Sequence, residues 1–222
     1  MPTLGYVYAT TWVIFILLIA WVVSRLPHSE PEIVRKIVHI GTGHVVLIAW
    51  WLNIPAIVGI TASILASAIT LLSYIFPILP GINSVGRRSF GTFFYAVSIG
   101  ILVAGFWHLH QPQYAALGIM IMAWGDGLAA LIGQRFGKHK YKLLGSDKSW
   151  EGSLTMAVVS YFVSSVILFA TQGNIWEVWV VSLTIALIAT TLEAFSFLGI
   201  DNLTVPLGSA ASAYMLIQLL TA

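Results

Sequence analysis

The sequence predicts an all-α fold: a polytopic integral membrane helical bundle of about eight transmembrane helices, with seven as the lower count, in one domain over residues 1–222. Three observations predict it. Hydrophobic residues make up 59% of the chain and charged residues 8%, whereas soluble domains carry roughly 25% charge. The mean hydropathy is +0.92. Apolar runs of about 20 residues, the length that crosses a bilayer, recur along the chain, and most charged residues fall at their ends or between them.

The elements follow in order. The first run, 4–24, lacks the basic n-region and small-x-small cleavage site of a signal peptide, so it reads as a span. The second, 34–52, is preceded by Ser29-Glu30-Pro31-Glu32. This pattern predicts a capping box, with Ser29 as N-cap, Glu32 at N3 and Pro31 in the first turn. Arg35, Lys36 and His39 follow at helical spacing and share a face. Further spans are predicted at 54–76, 90–108, 113–134, 152–171, 175–197 and 203–221. Asp126 falls about two turns before the basic end of the fifth, and Glu193 near the end of the seventh. No soluble domain, low-complexity tract or internal repeat interrupts the series.

Charge sets the expected topology. The stretches around the ends of the first, third and fifth spans hold all the positive charge: Arg25 with Arg35 and Lys36; Arg87 and Arg88; then Arg135, Lys138, Lys140, Lys142 and Lys148. The loops after the second, fourth and sixth spans hold none. The positive-inside rule places the basic loops in the cytoplasm and both termini on the opposite side. The loop carrying Asp201 and Asn202 then joins the basic loops on one face.

Composition excludes several chemistries. With no cysteine, disulfides, thiolate metal sites and cysteine nucleophiles are out. A net charge of +2 is too small to imply nucleic acid. Nine Trp and eight Tyr suit interfacial belts. No His, Asp and Glu spacing resembles a zinc site, and Gly133 to Lys138 has the wrong spacing for a P-loop. Gly125-Asp126-Gly127-Leu128-Ala129-Ala130 matches a relaxed dinucleotide fingerprint only formally, because it lies in a membrane span without a βαβ unit.

The polar residues that remain form one constellation. Ionisable side chains at membrane depth are costly and mark functional sites, which singles out Asp126 and Glu193. Glu151 and Asp201 stand at helix ends, where solvated acids are ordinary. Lys148, Ser149, Glu151 and Gly152 lie at the mouth of the sixth span, where backbone N–H groups and a nearby lysine make an anion site. Phosphoryl chemistry needs this pairing, with cations on phosphate oxygens and carboxylates for Mg²⁺. Lys140 and Lys142 are accounted for by lipid headgroups, and Arg87 with Arg88 equally well by anchoring or by phosphate contact. His39 shares its face with two cations and is assigned to the site. His44, His108 and His110 are not.

These residues carry a resemblance. Arg35-Lys36-x-x-His39, Arg88-Ser89-Phe90-Gly91-Thr92, Gly125-Asp126-Gly127-x-Ala129-Ala130-x-x-Gly133-x-x-Phe136-Gly137, Lys148-Ser149-x-Glu151-Gly152-Ser153, and Glu193 with Asp201-Asn202-Leu203-Thr204-Val205-Pro206-Leu207 together resemble the polyprenol and phytol kinase family. This is the group of CTP-dependent membrane kinases of lipid alcohols, which includes farnesol and dolichol kinases and the CTP-using diacylglycerol kinase of fungi, so a dolichol or diacylglycerol kinase is the alternative within the resemblance. The short chain and the Asp-Asn-Leu-Thr-Val-Pro segment are most similar to the phytol kinase branch. The resemblance implies transfer of the γ-phosphate of CTP to a long-chain isoprenoid alcohol, with a product that feeds tocopherol biosynthesis. It implies Asp126 and Asp201 as Mg²⁺ ligands. Arg35, Lys36, His39, Lys138, Ser149, Gly152 and Asn202 are implied to bind the nucleotide. Asp126, Lys148, Glu151 and Glu193 are the implied catalytic set, and either Glu193 or Glu151 would orient or deprotonate the hydroxyl.

Asp126 … Ser146-x-Lys148-Ser149-Trp150-Glu151-Gly152 is also similar to the signature of phosphatidate cytidylyltransferases. That signature has Pro where this chain has Asp147, and a further Asp shortly before Asp126. Here no acid lies between Glu32 and Asp126, which favours the kinase. A transporter would place its polar residues near the midplane, often within inverted repeats. Here they crowd one face.

Overall fold

The computed structural model describes residues 2–74, 76 and 89–221; Arg87 and Arg88 lie outside them. Eight helical stretches are long and apolar enough to cross a membrane, so the chain is an all-α polytopic membrane protein, as the composition predicts. α1 (Pro2–Ser24) is followed by α2 (Pro31–Gly43) and α3 (Val45–Trp51), which together form the second span. Next come α4 (Ala56–Ser73) and α5 (Gly91–His108). α6 (Pro112–Met120), a π-helical turn (Ile121–Asp126) and α7 (Gly127–Phe136) form the fifth span. A hairpin of β1 (Lys140–Leu143) and β2 (Ser146–Ser149) leads into α8 (Trp150–Gln172), α9 (Trp176–Ala194) and α10 (Asp201–Thr221).

Three local outcomes differ from the sequence-based expectation. The cap of α2 is Glu30, with Pro31 as the first helical residue and no side-chain cap bond. The capping box centred on Ser29 does not form. The Glu32 carboxylate instead takes the Arg35 guanidinium, at 2.5 and 3.0 Å. The second span is not continuous but breaks at His44. The segment 140–149 is not an irregular loop but an antiparallel hairpin, with Tyr141 opposite Lys148 and Lys142 opposite Asp147. Its two-residue turn, Leu144-Gly145, has φ of 48° and 80°, the left-handed pair that matches strand twist.

The fifth span is the centre of the bundle. Tyr114, Leu117, Ile119, Ile121 and Met122 are fully buried, and the span packs against α2, α3, α5, α8 and α10. Small residues permit this, since membrane helices associate through close backbone approach. A Cβ on Gly125 would stand 2.7 Å from the Met156 sulfur, and one on Gly43 would stand 2.6 Å from the Ala123 Cβ. The N-terminal ends of α2, α5, α8 and α10 and the C-terminal ends of α4, α7 and α9 meet at one end of the bundle around a single cavity.

Candidate active site

The cavity encloses about 1610 Å³, more than the roughly 300–1,000 Å³ of ordinary ligand pockets. Its floor carries two lysine–carboxylate pairs from different parts of the chain. Lys36, only 2% exposed, places its Nζ 2.7 Å from Asp126 Oδ2 and 3.3 Å from the Asp126 carbonyl oxygen. The second pair joins Lys148 of the hairpin to Glu193 in the last turn of α9. Lys148 Nζ also donates to Ser196 Oγ at 3.2 Å. The Ser196 hydroxyl in turn donates to Asp201 Oδ2 at 2.9 Å. Burial works against the Lys148 charge, but the Glu193 carboxylate, with Asp201 and Asp126 beyond it, outweighs burial and raises its pKa above the ordinary lysine value. The side chain therefore stays cationic through the physiological range and discharges only as pH rises past that raised value.

The π-helical turn fixes Asp126. Such turns insert a residue into a helix and often mark functional sites. Met122 O lies 3.3 Å from His39 Nε2; a carbonyl only accepts, so this nitrogen carries the proton. The same nitrogen stands 3.5 Å from Asp126 Oδ2. The His39 ring meets the Tyr95 ring at a 46° tilt with centroids 4.5 Å apart, and Tyr95 donates to the His39 carbonyl at 2.8 Å. One turn along, Trp124 Nε1 donates to His44 Nε2 at 3.2 Å, while His44 Nδ1 stands 2.9 Å from the Ile40 carbonyl. The second span and the π-turn of the fifth are thus bonded to each other at Met122 and Trp124, within one turn before Asp126.

Asp201 has no lysine or arginine within ion-pair distance among the described residues. Besides the Ser196 bond, its Oδ1 accepts from Asn202 N at 3.0 Å and from Asn202 Nδ2 at 3.1 Å. The Asn202 Oδ1 is buried without a partner among the described residues. No three His, Asp or Glu side chains stand together there as a ready-made metal cluster. The donor set fits Mg²⁺ nonetheless, because Mg²⁺ is held by one or two carboxylates, with substrate phosphates and water completing its shell. Asp201, Asp126 and the orphaned amide oxygen are the hard oxygen atoms that could hold it at this cavity.

Not every residue singled out from the sequence reaches this floor. Arg35, Lys36, Asp126, Lys148, Ser149, Gly152, Glu193, Asp201 and Asn202 line the cavity. Ser149 caps α8, its Oγ accepting from Gly152 N at 3.1 Å. His39 stands behind Asp126 rather than in the lining. Lys138 is exposed and outside the lining. Glu151 also lies outside it, turned to His139, whose Nδ1 is 2.8 Å from its carboxylate. Sequence reasoning missed Ser196, the link between Lys148 and Asp201; a single hydroxyl between Phe195 and Phe197 was its only signal. It also set aside His44, whose partner Trp124 lies 80 positions away.

Comparison with known proteins agrees in kind. The phytol kinase of Synechocystis sp. is 55% identical over 206 residues, covering 93% of this chain and 88% of that protein. The chloroplastic phytol kinase 1 of Arabidopsis thaliana is 26% identical over 210 residues, covering 84% of this chain and 67% of its own length. The chloroplastic farnesol kinase of the same plant is 28% identical over 216 residues, with 84% and 66% covered. No family model matches the chain, and no solved structure matches it.

Proposed function

Because this chain belongs to the phytol kinase family, we propose that it transfers the γ-phosphoryl group of CTP to the hydroxyl of a long-chain isoprenoid alcohol, phytol foremost. The carrying observation is the cavity floor: one buried and one part-buried lysine–carboxylate pair beside the Asp201–Asn202 oxygens, at one end of a membrane bundle. Phosphoryl transfer depends on positioning and charge neutralisation rather than on covalent help from the protein, and this floor is built of those elements. Under the positive-inside rule the cavity opens to the cytoplasm, with both termini opposite.

In this reading Lys148 and Lys36 lie against the triphosphate, with Arg35 at the mouth. The N-terminus of α8, with the Gly152 amide already turned to Ser149, adds its partial positive charge. Mg²⁺ held by Asp126 and Asp201, with the Asn202 amide oxygen beside them, would screen the β- and γ-phosphate charge. The alcohol oxygen attacks the γ-phosphorus. A new P–O bond forms as the bridging bond to the β-phosphate breaks, and CDP leaves. The hydroxyl proton passes to Glu193, which faces the cavity while Glu151 does not.

The test is a substrate panel on protein purified in detergent. CTP, ATP, UTP and GTP are supplied with Mg²⁺ and with phytol, geranylgeraniol or diacylglycerol. The reading expects CDP release that depends on an isoprenoid alcohol. Equal turnover of ATP would overturn the donor, preference for diacylglycerol would overturn the acceptor, and no transfer to any alcohol would overturn the function.

A further inference from the structure

The lining of the cavity is uneven. Its large apolar side chains are confined, among the described residues, to Tyr74, Phe90, Leu144, Phe197 and Leu198. The rest of the lining is charged, polar or small. Tyr74, Phe90, Phe197 and Leu198 are joined on one side of the cavity, and the hairpin tip that carries Leu144 is tied to the same loop. Tyr74 and Phe90 meet edge to face at 4.9 Å, and Phe90 N donates to the Leu198 carbonyl at 3.0 Å. The hairpin tip joins the same loop through Ser146 Oγ, which donates to Ser196 O at 3.1 Å. Phe90, Leu144, Phe197 and Leu198 are 41–64% exposed, so the arc is open rather than packed.

Two of its members sit where their backbone disfavours them. Leu144 (φ 48°) and Leu198 (φ 53°) both occupy left-handed positions, each followed by a left-handed glycine, Gly145 and Gly199. Asn is the residue that tolerates this conformation, and Asn-Gly is the preferred pair for a two-residue hairpin turn. A leucine there is locally unfavourable and, being exposed, gains nothing from the core. Conflicts of this kind, where local preference and the observed residue disagree, concentrate at functional sites. Both conflicts point to one arc of one cavity.

We infer that this apolar arc is the tail-binding entrance for the acceptor: the isoprenoid chain crosses Phe90, Phe197, Leu198 and Leu144 from the bilayer, and its hydroxyl reaches the Ser196–Lys148–Asp201 floor. The inference rests on the reading of the site as an isoprenoid-alcohol kinase. The arc begins at the ends of α4 and α5 and at the loop between α9 and α10, where membrane-crossing helices emerge, and it is continuous with the charged floor. An amphiphile with one hydroxyl and a long apolar tail matches that sequence of surfaces. The part of the lining built from Gly133, Gln134, Ser149 and Gly152 offers the tail nothing and is left to the polar substrate.

The test uses Leu144→Asn and Leu198→Asn, alone and together, because asparagine suits both backbone positions and these variants are expected to fold at least as well as wild type. The double variant should raise KM for a long isoprenoid alcohol by about tenfold or more, from the lost burial of two leucines. KM for CTP, and the rate with a short, water-soluble isoprenoid alcohol, should not move. Equal losses on long and short alcohols, or a shift in the nucleotide KM alone, would overturn the inference. A long isoprenoid alcohol carrying a photoreactive group at its tail end separates this from the kinase reading. Labelling of the arc in a protein that transfers no phosphate would keep the entrance and sink the kinase. Labelling confined to α1 and α3 in an active enzyme would sink the entrance and keep the kinase.

Discussion

Two spans of similar apolarity have opposite places in this molecule. The first, Thr3–Ser24, has a mean hydropathy of 2.2 and the fifth, Pro112–Phe136, has 1.8. Yet 11% of the apolar 18-residue stretch of the first is buried and 72% of that of the fifth. Hydropathy selects lipid as the solvent but does not say how deep in the bundle a helix lies. Small residues and one buried acid do. Ala115, Ala116, Gly118, Ala123 and Gly125 let neighbouring helices approach the fifth span, whereas Leu17, Leu18 and Trp21 on the first are exposed. The buried span then carries Asp126, whose charge Lys36, His39 and the polar cavity make tolerable.

Substitutions in the two spans and around the cavity should differ in their consequences by orders of magnitude. Asp126→Asn should lower kcat/KM by about a thousandfold, the scale of losing a preorganised charge at a transferring group, with Mg²⁺ dependence shifted to higher concentration. Lys148→Met should cost about a hundredfold in activity. It should also cost about 3 kcal/mol of detergent stability, because Glu193 is left buried without its cation. Adding Glu193→Gln should restore the stability and not the activity; restored activity would deny both residues their place in the chemistry. Trp124→Phe removes the N–H that His44 accepts and loosens the π-turn. A loss of about tenfold in kcat, with the nucleotide KM held, would mark it as a positioning residue, and an unchanged rate would separate the turn from Asp126. At the other extreme, Leu17→Ala on α1 should change stability by no more than about 0.5 kcal/mol and leave turnover alone, as thermal unfolding and initial rates would show.

The eight spans were legible because length and apolarity alone define them in a membrane, and their ends fall within a few residues of the expected ones. Asp126 and Glu193 were legible for the same reason, as charges where charge is costly, and Lys36 through its helical spacing with Arg35 and His39. Their partners were not, since the Lys36–Asp126 contact joins residues 90 positions apart and no periodicity encodes it. The hairpin escaped because its strands are charged, KYKL and SDKS, and because Leu-Gly stands where Asn-Gly would have announced the turn. The π-turn has no signature in an apolar run. Glu151 was grouped with Lys148 by proximity, three residues on, but the start of α8 turns it to His139 while the hairpin sends Lys148 inward.

The central claim is that this floor moves the terminal phosphate of CTP onto an isoprenoid hydroxyl. Parallel incubations of the wild-type protein with phytol, Mg²⁺ and CTP labelled either at the γ- or at the α-phosphate test it most directly. The account predicts γ-label in phytyl monophosphate, unlabelled lipid from the α-labelled nucleotide, and CDP as the other product. Label from the α-position in the lipid, with pyrophosphate released, would contradict it and make the same residues a nucleotidyl-transfer site.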